Sequence, residues 1–495
     1  VHELQAHSRW PAWLALAALY LAGVAQVNRA DLDMWHEMAL AREAWALGQL
    51  PVEDAYAYTP TVSPVVHHEW GTGVILYGLA RLGGAGGVLT LRMLLAVVLA
   101  AVCVVCARRR GATSEVLCFL MPVGIFMTWM GFSPVRAQLF TMVMLAFLLL
   151  CLDQDRRGQR RWIVPWLCLY TLWLNLHGGF AISFPLLGLH MAEQALRRRP
   201  VGHLAATLLA MAGLIVVNPY GADYYPFLWR SLAMDRPQIT EWLPIWKSWW
   251  LVQVFFWFSL VLLAYAVRHR GWRAVPGLPI VAVLAIEAMA HQRHAVLYAI
   301  AWTCYVPAWM QGSAQAEIFA RLLNRRSPVA VALWGLIAAF GIGCAVSARP
   351  WKLSVPANPG DDPRLTYPAG AVDYLVDNGF RGNLMVPFTA GAYVLWKAHP
   401  QVKVSIDSRY EVAYQHGVFE EHARFYGARD GWEEVLRMYA TDAVLVPRLA
   451  RVAQHMPPPG WERAYRDDAF DVYVRDAVPL PVVDLSGQRL RGRFP

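Results

Sequence analysis

Between two long apolar runs lies NRADLDMWHEMALAREAWALGQLPVEDAYAYTPTVSPVVHHEW, residues 28–70, which crowds together Asp31, Asp33, His36, Glu37, His67, His68 and Glu69. Carboxylates and imidazoles at a bilayer edge are costly to desolvate and mark functional sites. Such residues can take a proton from an attacking hydroxyl or hold a divalent cation. Asp33, His36 and Glu37 have i, i+3, i+4 spacing, so a helix through them puts all three on one face. They are the candidate metal ligands, for manganese or magnesium; carboxylates with imidazoles suit manganese or zinc better than magnesium. Asp31 or Asp33 is equally suited to cap the N-terminus of that helix.

The elements that must position these residues are apolar. Of 495 residues, 57% are apolar and 16% charged, against about 25% charged in soluble domains; the mean hydropathy is +0.33. Eleven candidate spans follow, at 10–27, 88–107, 114–131, 134–152, 162–177, 179–196, 201–217, 249–267, 274–290, 295–312 and 328–347. Each is about long enough to cross a hydrocarbon core. The run 69–83 is shorter and reads as an interfacial helix. That reading places the arginines of 108–110, 156–161, 197–199, 268–273 and 321–326 in cytoplasmic loops. The formal charge of +9 therefore belongs to loop arginines and gives no case for nucleic acid. The N-terminus falls inside and the C-terminus outside. All seven cysteines sit in apolar runs, as packing residues rather than a disulfide framework.

This topology gathers further ionisable residues on the outer side: Arg136, His177 with Asn175, Glu241, and His291, Arg293 and His294. Ordinary snorkelling arginines favour the inside, so the accumulation points to a site on the outer face. The linker 348–366 is rich in proline, and from 367 to 495 strand and helix patterns alternate, the mark of an α/β domain. Asp407 and Arg409 directly follow one of its strands, where α/β folds place ligands, although a structural ion pair explains them as well. The division is a membrane core over 1–347 with an outer loop at 28–87, the linker 348–366, and an extracytoplasmic domain over 367–495.

No Walker loop, G-x-S-x-G or H-E-x-x-H is present, which argues against an ATP-driven pump and the common hydrolases. The acid pair Asp31–Asp33 after the first span, the H-E-W of His68 to Trp70, Arg136 with Gln138, His177 to Gly179, Asn218 to Gly221, and Ile406 to Arg409 together resemble the GT-C superfamily of membrane glycosyltransferases. The resemblance extends over the whole chain in architecture and rests on short motifs in sequence. The W-W-D-Y-G signature of oligosaccharyltransferases is absent. The resemblance implies a polytopic α-helical protein of the bacterial inner membrane that moves a sugar from a polyprenyl-phosphate-linked donor to a glycan, lipid or protein acceptor at the outer face. In that reading Asp33 and Asp31 are the candidate bases, while Arg136, His177, Arg293 and His294 bind the donor phosphate. His67, His68, Glu69, Trp70, Glu241 and Arg409 are the candidate substrate contacts. A transporter or flippase for a lipid-linked glycan, or a scaffold in envelope assembly, is the alternative. Against a transporter, the ionisable residues lie at one face rather than at mid-span, where alternating access needs them.

Overall fold

A computed structural model describes residues 10–26, 28–132, 134–234, 239–318, 328–349, 351–362, 364–415 and 417–495. The arginines at 321–326 lie outside them. The chain forms two compact units, one of residues 1–28, 89–222 and 233–352, the other of 29–88, 223–232 and 353–495. Two stretches expected in the core, the loop 29–88 after the first helix and residues 223–232, fall in the second unit with residues 353–495.

The first unit is helical, and each of the eleven candidate spans contains an α-helix. Among the described residues three helices are long and apolar enough to cross a membrane, Trp70–Arg109, Gln138–Arg156 and Trp250–Arg270, and six further apolar helices are shorter. Length and composition thus support a membrane protein without establishing eleven crossings. The run 69–83 joins the next span in one 40-residue helix, interrupted by non-helical Gly84 at φ 54°. Glycine tolerates that conformation at little steric cost, so the break falls where the interfacial and spanning segments were separated.

The loop arginines of this unit are more than loop charges. Asp153 pairs with Arg109 at 3.3 Å and Arg157 at 3.1 Å. Asp155 holds Arg160 at 2.8 Å, His190 at 2.8 Å and His203 at 2.7 Å. Glu193 holds Arg156 at 2.9 Å and accepts the Gly277 N–H at 3.0 Å. Buried carboxylates of this kind must be paired, and here the pairing ties successive helices at the ends that carry the arginines.

The second unit is built on a six-stranded mixed sheet in the order β2-β1-β3-β5-β4-β6. The strands are β1 (Gly382–Met385), β2 (Val402–Val404), β3 (Ala443–Pro447), β4 (Trp461–Arg466), β5 (Phe470–Arg475) and β6 (Val483–Asp484). β1 runs parallel to β2 and β3, and β5 is antiparallel to β3 and β4. Five of these strands match alternating runs in the sequence; β6, two residues long, is too short to leave a pattern. After β2 come two short helices, Tyr410–Ala413 and Val418–Tyr426, the second opening just after Gly417 at φ 102°; His416 lies outside the described residues. Residues 56–58 extend the sheet beside β2, with Tyr58 N–H donating to Val404 O at 3.1 Å and Val404 N–H to Tyr56 O at 3.0 Å. The buried Trp35 packs edge-on to Tyr367 and Tyr393, with centroids at 5.7 and 5.1 Å. An aromatic cluster thereby anchors the helix Leu32–Leu47 to the C-terminal segments.

Candidate functional site

The helix Leu32–Leu47 begins as its first residues direct. Asp31 is the N-cap, at φ −92° and ψ 156°, and its carboxylate accepts the Asp33 N–H at 3.2 Å. Asp33, His36 and Glu37 then lie in one helix, as their spacing requires. The group whose ligand atoms fall within 4.8 Å of one another, among the described residues, is however His36, Glu37 and Glu69. Glu69 takes the place expected of Asp33, and the cause is a glycine. A Cβ at Gly73 would overlap the backbone carbonyl of Glu37, so only glycine lets the helix Trp70–Arg109 approach this closely. One turn back, the Gly73 N–H donates to Glu69 O at 3.1 Å, which sets Glu69 opposite Glu37.

Glu37 is only 2% exposed, and neither of its side-chain oxygens receives a hydrogen bond. Burial, then the facing Glu69 carboxylate, then Asp33 and Asp31, raise its pKa well above the usual range. Burial depresses His36 to about 4 against the pull of Asp407, so the imidazole is neutral at ordinary pH. Two opposed carboxylates and a neutral imidazole are a fitting donor set for a divalent cation, whose charge would relieve their repulsion. A proton shared by the pair is the alternative filling.

The pH dependence has a definite sign. A folded protein that holds a proton on Glu37 more tightly than the unfolded chain loses stability as pH rises above the ordinary value of 4.5 toward the raised one. His36 acts oppositely, costing stability as pH falls from 6.5 toward about 4. Over the range in which Glu37 loses its proton, its contribution to stability falls as pH rises. There the metal-free protein is expected to melt lower as pH increases, and Glu37→Gln to flatten that slope. Equal slopes in wild type and variant would mean that Glu37 does not carry the raised pKa.

The other residues of this unit are placed as follows. His68 Nε2 lies 3.3 Å from Glu69 and its ring 5.3 Å from that of Phe227. His67 is buried, and Trp70 opens the long helix. Arg409, 3% exposed, is held by Asp407 through Nε at 3.0 Å and Nη2 at 2.6 Å, and by Asp54 at 2.8 Å. Tyr414 O–H donates to the same Asp407 at 2.8 Å, and the guanidinium lies 4.8 Å from the Tyr56 ring. Its donors thus face two carboxylates inside the fold.

The first unit holds the remaining candidates, and four of them gather around Trp242. Arg136 donates to both oxygens of Glu241 at 2.9 and 3.1 Å. Arg293 lies 4.7 Å from the Trp242 ring, and His294 stands edge-on to it at 5.8 Å. His291 Nδ1–H donates to the Trp242 carbonyl at 2.9 Å. His177 is held by contacts of its own. Its Nδ1 accepts the Gly179 N–H at 2.9 Å and lies 2.7 Å from Thr141 Oγ1. Because a backbone amide can only donate, the neutral ring carries its proton on Nε2. A Cβ at Gly179 would overlap both His177 and Thr141, which explains the second glycine of H-G-G. The Asn218 side chain accepts the Tyr220 N–H at 2.7 Å, a turn closed by Gly221 at φ 55°. Arg92, fully buried and bonded to the Asn28 side chain, escaped the sequence reading; a lone arginine inside an apolar run was the available signal.

No family model and no curated protein matches the sequence. Solved structures do. The oligosaccharyltransferase of Archaeoglobus fulgidus in its apo form superposes with a TM-score of 0.57 at 12% identity, over 96% of this chain and 75% of that one. Mycobacterial arabinofuranosyltransferase AftD superposes with a TM-score of 0.52 at 14% identity, over 95% of this chain and 40% of that one. The fold is that of the GT-C glycosyltransferases. The chain spans less than half the length of the mycobacterial enzyme, so the likeness concerns architecture. Within the GT-C fold the helical unit also contains an apolar cavity of about 460 Å³, lined among others by Tyr20, Cys103, Met121, Ile125, Thr128 and Thr303. Its three hydroxyls are all satisfied by backbone carbonyls, Ala96, Gly124 and Ala299. The walls therefore suit a hydrocarbon chain.

Proposed function

We propose that the protein transfers a glycosyl group from a polyprenyl-phosphate-linked donor to a hydroxyl acceptor at the outer face of the bacterial inner membrane. The observation that carries this reading is the cluster of His36, Glu37 and Glu69 next to the Asp31–Asp33 pair, in a chain with the GT-C fold. In the reaction the acceptor oxygen forms a bond to the anomeric carbon. The bond from that carbon to the phosphate oxygen breaks, and the phosphate leaves with the electron pair. The acceptor proton goes to a carboxylate. Asp33 is the candidate base, since Asp31 already serves the helix N-terminus. His36, Glu37 and Glu69 would hold a divalent cation, manganese better than magnesium, which when bound supplies positive charge to a phosphate leaving group. In the first unit, Arg136, Arg293 and His294, with the Nε2–H of His177, are the groups suited to binding a donor phosphate. Glu241 keeps Arg136 extended until the anion displaces it. His67, His68 and Trp70 are the candidate substrate contacts of the second unit, and the apolar cavity of the first suits part of an isoprenoid chain. The two termini lie on opposite sides of the membrane, with the domain of residues 367–495 outside.

The test is a transfer assay on the purified full chain in proteoliposomes with a panel of polyprenyl-phosphate sugars. Formation of a glycosylated acceptor from at least one donor is expected. Vesicle uptake of a lipid-linked glycan without transfer would instead establish the transporter. In intact cells, on a cysteine-free background, Gln159→Cys and His269→Cys should be shielded from an impermeant thiol reagent and Asp476→Cys should react. Labelling of residue 159 from outside would reverse the orientation.

A further inference from the structure

The motif Ile406 to Arg409, just after β2, is without a task in the proposed chemistry. Between its two charged residues stands Ser408, whose Oγ lies 2.7 Å from His36 Nδ1, although 372 positions separate the two in sequence. We propose that Ser408 is a positioning residue for the His36 imidazole. The buried Asp54–Arg409–Asp407 triad holds it in place, so that Nε2 is the nitrogen offered to a divalent cation among His36, Glu37 and Glu69. The inference rests on the cation reading above and adds to it the part played by the C-terminal segment.

Three observations support it. The serine sits on a rigid support. Asp407 accepts the Arg409 backbone N–H at 2.8 Å as well as the guanidinium, so the residues on both sides of Ser408 are locked to each other. A Cβ at Gly391 would overlap the Ile406 carbonyl, which shows how tightly the helix Phe388–Ala398 is pressed on the same turn. The support also reaches the loop that carries the site, through Asp54 on Arg409 at 2.8 Å and the backbone pairing of residues 56–58 with β2. Finally, the contact at Nδ1 suits the tautomer that a cation needs, since Ser408 Oγ can accept a proton from that nitrogen. Neither Glu37 oxygen receives a hydrogen bond, so His36 does not donate to Glu37. With Nδ1–H donated to Ser408 Oγ, Nε2 carries a lone pair. That is the tautomer a metal-binding imidazole requires, and fixing it through the far nitrogen is the common role of an outer hydrogen-bond partner.

The experiment uses the full chain in lipid nanodiscs, with Mn²⁺ as the probe and its spin resonance as the readout. Ser408→Ala is expected to weaken Mn²⁺ binding by about 10–100-fold, with the thermal midpoint unchanged. Ser408→Thr, which keeps the hydroxyl, should restore affinity. In parallel, ¹⁵N spectra of histidine-labelled protein, with His36→Gln to assign the signal, should show the proton on Nδ1 in wild type and a mixture of tautomers in Ser408→Ala. Unchanged Mn²⁺ affinity and unchanged His36 nitrogen shifts in Ser408→Ala would overturn the proposal. A wild-type His36 protonated on Nε2 would overturn it too. If the wild type binds no Mn²⁺, the cation reading fails, and with it the offer of Nε2 to a metal. The spectra then still decide, by themselves, whether Ser408 holds the ring.

Discussion

Arg409→Leu is expected to destabilise the second unit by about 3–5 kcal/mol, the usual cost of leaving buried charges without their partner. The arginine lies between Asp54 and Asp407, whose side chains are fully buried, and its removal leaves two carboxylates facing each other in a solvent-excluded interior. Arg409→Lys should restore little, because an ammonium cannot reproduce the forked contact through Nε and Nη2. Hydrogen exchange at the amides of β2 and β3 is the measurement, and faster exchange throughout that sheet is the expected result. If Arg409 instead contacts substrate, as its position after a strand suggested, exchange would stay at the wild-type rate while transfer fell. The two roles are therefore separated by one experiment that needs no knowledge of the substrate.

The second large effect is on activity. Asp33→Asn is expected to reduce transfer by about 10²–10⁴-fold, since an amide cannot accept the proton, while thermal stability stays within about 1 kcal/mol. Asp31→Asn is expected to leave both stability and transfer near wild type. Its carboxylate accepts the Asp33 N–H at the helix N-terminus, and asparagine caps about as well as aspartate. Loss of transfer in Asp31→Asn alone would exchange the two assignments. If both variants fold and remain fully active, neither aspartate is the base, and a transporter or an assembly scaffold becomes the better account of the chain.

The local elements were legible because their causes are local. Apolar runs become helices, the alternating segments after residue 367 become β1 to β5, and Asp31 caps the helix that follows it. Each depends on residues within about a turn or a strand of one another. Asp33, His36 and Glu37 also share a helix as their spacing demanded. What the sequence could not contain is which remote segment completes that face. Glu69 reaches Glu37 because Gly73 admits a second helix at backbone distance, Ser408 reaches His36 across most of the chain, and Asp54 meets Arg409 in a buried triad. These pairings put residues 29–88 in one compact unit with 353–495, where composition had divided them at a proline-rich linker. Periodicity records which face of an element is apolar or polar; the partner of that face is selected by packing and charge pairing between segments far apart in sequence, and only the tertiary structure decides it.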